Sequence, residues 1–138
     1  MLNKLRSTDI NALVDINTAI LLLRLGAGAL VLTHGVPKVM NVLAREMGFM
    51  DPIGIGPELS LILAAFAEGI CGFLVLIGLW TRLASIVLVI QFIVVPFFAH
   101  AGDPFGDKEK GLLFLVMFVV TLLTGGGKYS LDGRGSSR

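Results

Sequence analysis

The sequence LSLILAAFAEGICGFLVLIGLWT, from Leu59 to Thr81, contains a single charged residue, Glu68. A helix rises about 1.5 Å per residue, so a stretch of this length crosses the roughly 30 Å hydrocarbon core of a bilayer. A carboxylate at that depth is costly unless it is paired or faces an internal cavity. The stretch therefore predicts a membrane helix and makes Glu68 the first candidate for a functional side chain.

The chain contains four apolar segments of helical length, and the stretch around Glu68 is one of them. These segments predict an all-α bundle of four transmembrane helices. Hydrophobic residues make up 55% of the chain and charged residues 15%, a balance typical of a protein in lipid. The third segment contains Pro96, which should kink its helix near one end. The segments are residues 16–36, 58–79, 83–99 and 111–124, within a single domain that spans residues 1–138.

Basic residues predict the orientation of this bundle. With four helices, both termini share one side with the turn at Arg82, and that side carries six basic residues against four on the other. Basic residues favour the cytoplasmic side, so we expect an inner (plasma) membrane protein with both termini in the cytoplasm. The six are Lys4, Arg6, Arg82, Lys128, Arg134 and Arg138, and the four are Lys38, Arg45, Lys108 and Lys110.

The first outer loop, residues 37–57, is long for so small a protein. Within it Val39, Leu43, Met47 and Met50 recur every three or four residues. This spacing predicts a short amphipathic helix on the membrane surface that covers the bundle. At the other end of the chain, the glycines at 125–127 predict the end of the last helix.

Arg24 in the first segment is the predicted partner of Glu68. Arg24 is expected somewhat toward the cytoplasm from the membrane centre and Glu68 near the centre, a gap that the long arginine side chain can close. The pair has two interpretations. It is either a proton relay or anchor for a polar ligand, or a buried ion pair that fixes the register of the helices. Charges inside a membrane are rare, which favours function.

A second group of polar residues is predicted at the outer end of the bundle. His34 and Lys38 are four residues apart and share one helix face, and His100 ends the third segment. Histidine can move protons near neutral pH, and lysine can hold an anion or a ligand carbonyl. For the charged run at 107–110, exposure to water at a helix end is the simpler interpretation. The candidate residues are Arg24, Glu68 and His34 for catalysis and Lys38, His100 and Glu109 for ligand binding.

Cofactor motifs are sparse. His34 and His100 at similar depth would suit a haem, but two histidines in four helices often match by chance, so haem is disfavoured. A zinc site that adds Asp103 lacks the close ligand spacing of zinc motifs. The lone Cys71 excludes an internal disulfide and a dithiol redox motif. The chain has no basic stripe interleaved with aromatic residues, so nucleic acid is not an expected partner.

Beyond these features, the chain resembles the DoxX family of small four-helix membrane proteins. The glycine cluster followed by Tyr-Ser-Leu-Asp is the most specific part of the resemblance, whereas the long Met-rich outer loop and the third glycine of the cluster depart from the family pattern. The matching pieces are Arg24-Leu25-Gly26, His34-Gly35-Val36-Pro37-Lys38, Glu68-Gly69 with Gly72, Gly78-Leu79-Trp80-Thr81-Arg82, His100, and Gly125-Gly126-Gly127-Lys128-Tyr129-Ser130-Leu131-Asp132.

The resemblance implies a link to membrane redox chemistry, because the family is named for a membrane subunit of an oxidoreductase that passes electrons from thiosulfate to quinone. A bound quinone or similar lipid-soluble ligand, or docking of redox partner proteins, would follow, without implying catalysis by this chain. One alternative is a non-catalytic scaffold that recruits a partner protein through its outer loop. The other is a small transporter or channel. This function would require a homo-oligomer, because one chain has only four predicted membrane helices.

Overall fold

The computed structural model describes residues 1–136 and is helical throughout its regular structure, which confirms the all-α prediction. Short helices lie near the two ends of the described chain, and four long helices lie between them. The helices are α1 (Leu2–Leu5), α2 (Ile16–Leu43), α3 (Pro57–Ile77), α4 (Thr81–Ala99), α5 (Phe105–Thr124) and α6 (Leu131–Gly135).

Three helices, α2, α3 and α4, are long and apolar enough to cross a membrane. Helix α5 has 20 residues, but its first turns carry the charged run at 107–110, so only the part after Lys110 is continuously apolar. Asp107 and Lys110 from this run line a cavity at one end of the bundle, together with His34. A fourth membrane crossing by α5 remains a prediction.

The first membrane helix is longer than predicted. Helix α2 continues through Pro37 to Leu43, a length of 28 residues. The separate amphipathic helix is not formed, because Val39 and Leu43 extend α2, and residues 44–56 contain only turns and irregular structure. Proline lacks an N–H and removes one helical hydrogen bond, but within a membrane bundle neighbouring groups compensate for that loss. Pro37 therefore does not end the helix.

Helices α3 and α4 each contain a wider, π-helical stretch. In α3 it spans Phe66–Cys71 and includes Glu68, and in α4 it spans Val95–Ala99 and includes Pro96. A π-helical stretch thus lies at Pro96, where the sequence predicted a kink, and the missing N–H of the proline accounts for this local change of helix type. Such turns redirect side chains and are frequent at functional sites.

Aromatic stacking and one buried hydrogen bond hold α4 against α5. The ring of Phe92 lies 4.9 Å from that of Phe114 and 5.7 Å from that of Phe118, measured between centroids. The hydroxyl groups of Ser85 and Thr121 share a hydrogen bond of 2.7 Å. In lipid, such hydrogen bonds and close packing replace the hydrophobic effect as the force between helices.

The C-terminal segment docks on the end of the bundle formed by the start of α4. Gly125, with φ of 72°, ends α5 as predicted. The Asp132 carboxylate accepts hydrogen bonds from the N–H of Trp80 at 2.8 Å, the N–H of Thr81 at 2.9 Å and the hydroxyl of Thr81 at 2.8 Å. Asp132 therefore caps the N-terminus of α4 from a distant part of the chain.

Further contacts tie the same segment to the start of α2. The N–H of Lys128 donates to Asn17 Oδ1 at 2.9 Å. Ser130 begins α6 by accepting the N–H of Gly133 at 3.0 Å, and its hydroxyl donates to the Gly127 carbonyl at 2.6 Å. Arg138, which was counted for the orientation, lies outside the described residues.

The cap formed by Asp132 predicts a pH dependence of stability. Burial alone would raise the pKa of the Asp132 carboxyl, but hydrogen bonds from Thr81 and Trp80 and the charge of Arg24 outweigh burial and hold the pKa below its ordinary value. The stabilisation is therefore fully present above the pKa of an unfolded aspartate, about 3.9, and is lost as the pH falls through the lower folded value.

We expect Asp132→Asn to lower the free energy of unfolding at pH 7 by about 1–2 kcal/mol, the usual contribution of a helix cap. It should also reduce the loss of stability below about pH 4. Thermal unfolding of the purified protein in detergent across this pH range measures both effects. Glu46→Gln, at an exposed carboxylate in the loop formed by residues 44–56, is the control. Parallel pH curves for the wild type and Asp132→Asn would contradict the assignment.

Candidate functional site

The buried carboxylate of Glu68 is bound by two other helices. Glu68 is 3% exposed, and its Oε2 lies 2.5 Å from the Nζ of Lys38 on α2. Its Oε1 accepts a hydrogen bond of 2.7 Å from the Nε2 of Gln91 on α4. Since α2, α3 and α4 each contribute one member, the Lys38–Glu68–Gln91 cluster fixes how these three helices sit together.

The predicted ion pair between Arg24 and Glu68 is not formed. Arg24 is 1% exposed and donates to the carbonyl oxygens of Val75 at 3.2 Å, Leu76 at 2.9 Å and Tyr129 at 2.8 Å. The first two carbonyls lie in the last turn of α3, where backbone acceptors lack partners within the helix. They lie about 10 Å along α3 from Glu68 at about 1.5 Å per residue. Arg24 thus joins α3 to the C-terminal segment.

The length of α2 explains why lysine replaces arginine as the partner. Because α2 continues through Pro37, Lys38 lies one helical turn beyond His34 and reaches Glu68. The two backbones also approach closely here, since a Cβ atom on Gly35 would overlap the backbone carbonyl of Glu68. Glycine at this crossing allows the short contact, as small residues do where membrane helices cross.

A cavity of about 400 Å³ opens beside the Lys38–Glu68–Gln91 cluster. It lies at the end of the bundle opposite the docked C-terminal segment, and its volume falls within the range of ligand pockets. The His34 ring packs edge-on against Phe114, with centroids 6.1 Å apart, on one wall of the cavity. Of the predicted site residues, the cavity brings together Glu68, His34, Lys38 and His100.

The remaining predicted residues lie elsewhere or at the rim. Arg24 is absent from the cavity lining, and Glu109 is exposed on the second turn of α5, although its neighbour Lys110 lines the mouth. His100 remains partly exposed, and its Nδ1 lies 2.7 Å from Asp103 Oδ2. The histidine and aspartate therefore form a polar pair between the cavity and water.

Sequence reasoning missed Gln91 and Gly35. Gln91 is the only amide side chain in α4, so an isolated polar residue in an apolar run, the signal that identified Glu68, also marks it. Gly35 carries no such signal, because its importance depends on which helix crosses α2 at that point.

Within residues 1–136, no three His, Cys, Asp or Glu side chains are grouped to hold a metal ion. Cys71 is buried in the apolar core.

The sequence pattern of the DoxX family matches residues 19–101 of this chain, the range that holds Lys38, Glu68 and Gln91. The chain belongs to the DoxX family. An uncharacterised membrane protein of Mycobacterium tuberculosis is similar to this DoxX protein, with 30% identity over 136 residues, 87% of this chain and 83% of that protein. An uncharacterised protein of Haemophilus influenzae is 25% identical over 119 residues, 81% of this chain and 87% of that protein. No solved structure matches the chain.

The close crossing at Gly35 gives a prediction with a control on the same helix. Gly35→Ala should force α2 and α3 apart and cost about 1–3 kcal/mol, the usual effect of overpacking. At Gly26 an added Cβ meets no atom within 4 Å, so Gly26→Ala should change stability little. Thermal unfolding followed by circular dichroism in detergent compares the two variants. Equal melting temperatures for them would show that the crossing is not tight.

Proposed function

We propose that this DoxX family protein is a membrane subunit of a redox system and binds a quinone, or a similar lipid-soluble ligand, in the cavity beside Glu68. The observation that carries the proposal is the Lys38–Glu68–Gln91 cluster on the wall of a cavity within the bundle. Ligand sites are mostly apolar cavities with a few polar groups that converge on one point. An isolated structural ion pair requires no cavity next to it.

The donors of the cluster suit a ligand with carbonyl groups. An ammonium group has three donors, of which Lys38 directs one to Glu68 at 2.5 Å and one to the His34 carbonyl at 3.4 Å. An amide nitrogen has two donors, and Gln91 directs one to Glu68. Each side chain therefore retains one donor for a quinone carbonyl. The rings of Phe92 and Phe114 supply flat apolar walls for the quinone ring.

A quinone accepts two electrons and two protons when it becomes a quinol. In this proposal a redox partner protein supplies the electrons, and the chain holds the ligand head and handles protons. Among the titratable side chains that line the cavity, we assign proton exchange with a bound carbonyl oxygen to Glu68 and His34. His100 and Asp103, at the mouth, connect the cavity to water. Arg24 takes no part in this chemistry, since it does not line the cavity and its Nη1 and Nη2 groups donate to backbone carbonyls, although its buried Nε has no hydrogen-bond partner among the described residues.

The orientation predicted from basic residues completes the proposal. With both termini in the cytoplasm, the cavity mouth would lie on the outer side of the plasma membrane. A partner protein would then approach the surface formed by residues 44–56 and the start of α5.

A second candidate function, a scaffold for a partner protein, is supported by exposed apolar side chains in the outer loop. Met50, Ile53 and Ile55 are 48%, 47% and 39% exposed. Such a patch suits docking of another protein. An empty cavity in the purified protein would favour the scaffold over the redox subunit.

The test begins with protein purified in native lipid, followed by mass spectrometry of extracted small molecules. We expect a stoichiometric quinone. Titration of the stripped protein with duroquinone, a quinone without a long tail, should then show binding that His34→Ala and Gln91→Leu each weaken about tenfold, equivalent to about 1.4 kcal/mol. Glu58→Gln, an exposed acid on the same helix as Glu68, is the control and should bind like the wild type.

Circular dichroism of each variant separates loss of binding from loss of folding. The proposal fails if the wild type neither retains a quinone nor binds duroquinone. It also fails if folded His34→Ala and Gln91→Leu proteins bind duroquinone as well as the Glu58→Gln control does.

A further inference from the structure

A second, apolar cavity of about 280 Å³ lies between α3, α4 and the outer loop. Among the described residues that line it, only Ser60 and Gln91 are polar. The Ser60 hydroxyl donates to Asp51 Oδ1 at 3.2 Å, so it is already partnered. Gln91 is therefore the one polar side chain in this lining that remains to contact a molecule in the cavity. It belongs to the cluster that holds Glu68.

The apolar cavity adjoins the polar one described above. Side chains from the loop and from α4 line both spaces, so they form the boundary between the two. Gln91 lies at this boundary and faces the polar side through its hydrogen bond to Glu68. The shared residues are Phe49, Met50, Gln91, Val95 and Ala99.

The outer edge of the apolar cavity faces the bilayer. Leu63 and Phe66 on α3 are 47% and 48% exposed, and Ile90 on α4 is 58% exposed. These apolar side chains lie within the membrane-spanning parts of α3 and α4, so lipid covers them. The apolar cavity thus borders lipid along the line between the two helices.

The loop that covers this cavity is held in place rather than loose. Asp51 accepts hydrogen bonds from the N–H of Ile55 at 2.9 Å and the N–H of Gly56 at 3.1 Å, in addition to that from Ser60. These bonds tie residues 51–56 to the start of α3. Phe49 and Met50, just before the tied segment, are the parts of the loop that lie over the boundary between the cavities.

We infer that the apolar cavity holds the hydrocarbon tail of the ligand whose polar head lies beside Glu68, and that the ligand enters sideways from the bilayer between α3 and α4. This inference rests on the proposed function for the identity of the head. The occupant is the isoprenoid or alkyl tail of that same ligand. The shared wall of the two spaces supports this, as does their order: the polar space lies inside the bundle and the apolar space lies toward lipid.

The test compares one quinone that carries a long tail to fill the cavity with one that does not, each measured on the wild type and on the same variants. Duroquinone has no long tail, and decylubiquinone has a ten-carbon one. Val94 lines the apolar cavity, and a phenylalanine there would fill it. Val94→Phe should weaken decylubiquinone binding about tenfold, or about 1.4 kcal/mol, and leave duroquinone binding unchanged. Ile93→Phe, next along α4 but facing lipid with 41% exposure, should change neither affinity.

The outcomes separate the two proposals. If duroquinone does not bind the wild type, the proposed function fails. If duroquinone binds but Val94→Phe weakens neither quinone or both equally, the tail site is wrong and the cavity holds an ordinary lipid chain. Should Val94→Phe not fold, a decyl quinone with a photoreactive diazirine in its tail replaces it. Labelling of α3, α4 and residues 49–55, reduced by excess decylubiquinone, supports the inference, and labelling confined to α5 overturns it.

Discussion

The structure depends on one constraint, which is that the carboxylate of Glu68 lies inside a membrane bundle and has to be neutralised there. An unpaired charge at this depth would be too costly to keep. Lys38 and Gln91 together occupy both carboxylate oxygens, and they come from two different helices. The requirement to bring three helices to one point explains why Gly35, where α2 crosses α3, has no side chain. Glu68 itself lies in the π-helical stretch of α3.

The second buried charge is accommodated by a different mechanism. Arg24 has no carboxylate within hydrogen-bonding distance among the contacts described and instead satisfies backbone carbonyls at the end of α3 and in the C-terminal segment. The negative end of a helix dipole favours a cation at this position. Asp132 completes the arrangement at the positive N-terminus of α4. One end of the bundle is therefore held together by structural contacts, and the cavity beside Glu68 lies at the other end.

Much of this architecture follows from the sequence, and the failures have physical causes. Apolar runs fixed the long helices, and the isolated charge in one run identified Glu68. The partner of Glu68 was missed because Arg24 was chosen by matching depths in the membrane. Lys38, beyond the predicted end of the first segment at residue 36, was assigned to the outer end of the bundle instead. Asp132 was recognised only as part of a motif, since a cap supplied from 51 residues away has no local pattern. The cavities depend on how helices cross, which composition and spacing do not determine.

The most direct test of the account is a double-mutant cycle on Lys38 and Glu68, measured by unfolding in mixed detergent micelles. Lys38→Met and Glu68→Gln should each destabilise the protein, the lysine change by about 3–5 kcal/mol because it leaves a buried carboxylate unpaired. The double variant should recover much of that loss, with a coupling energy above about 1 kcal/mol. Effects that add to within about 0.5 kcal/mol, as for residues that do not touch, would contradict the pairing on which the site is built.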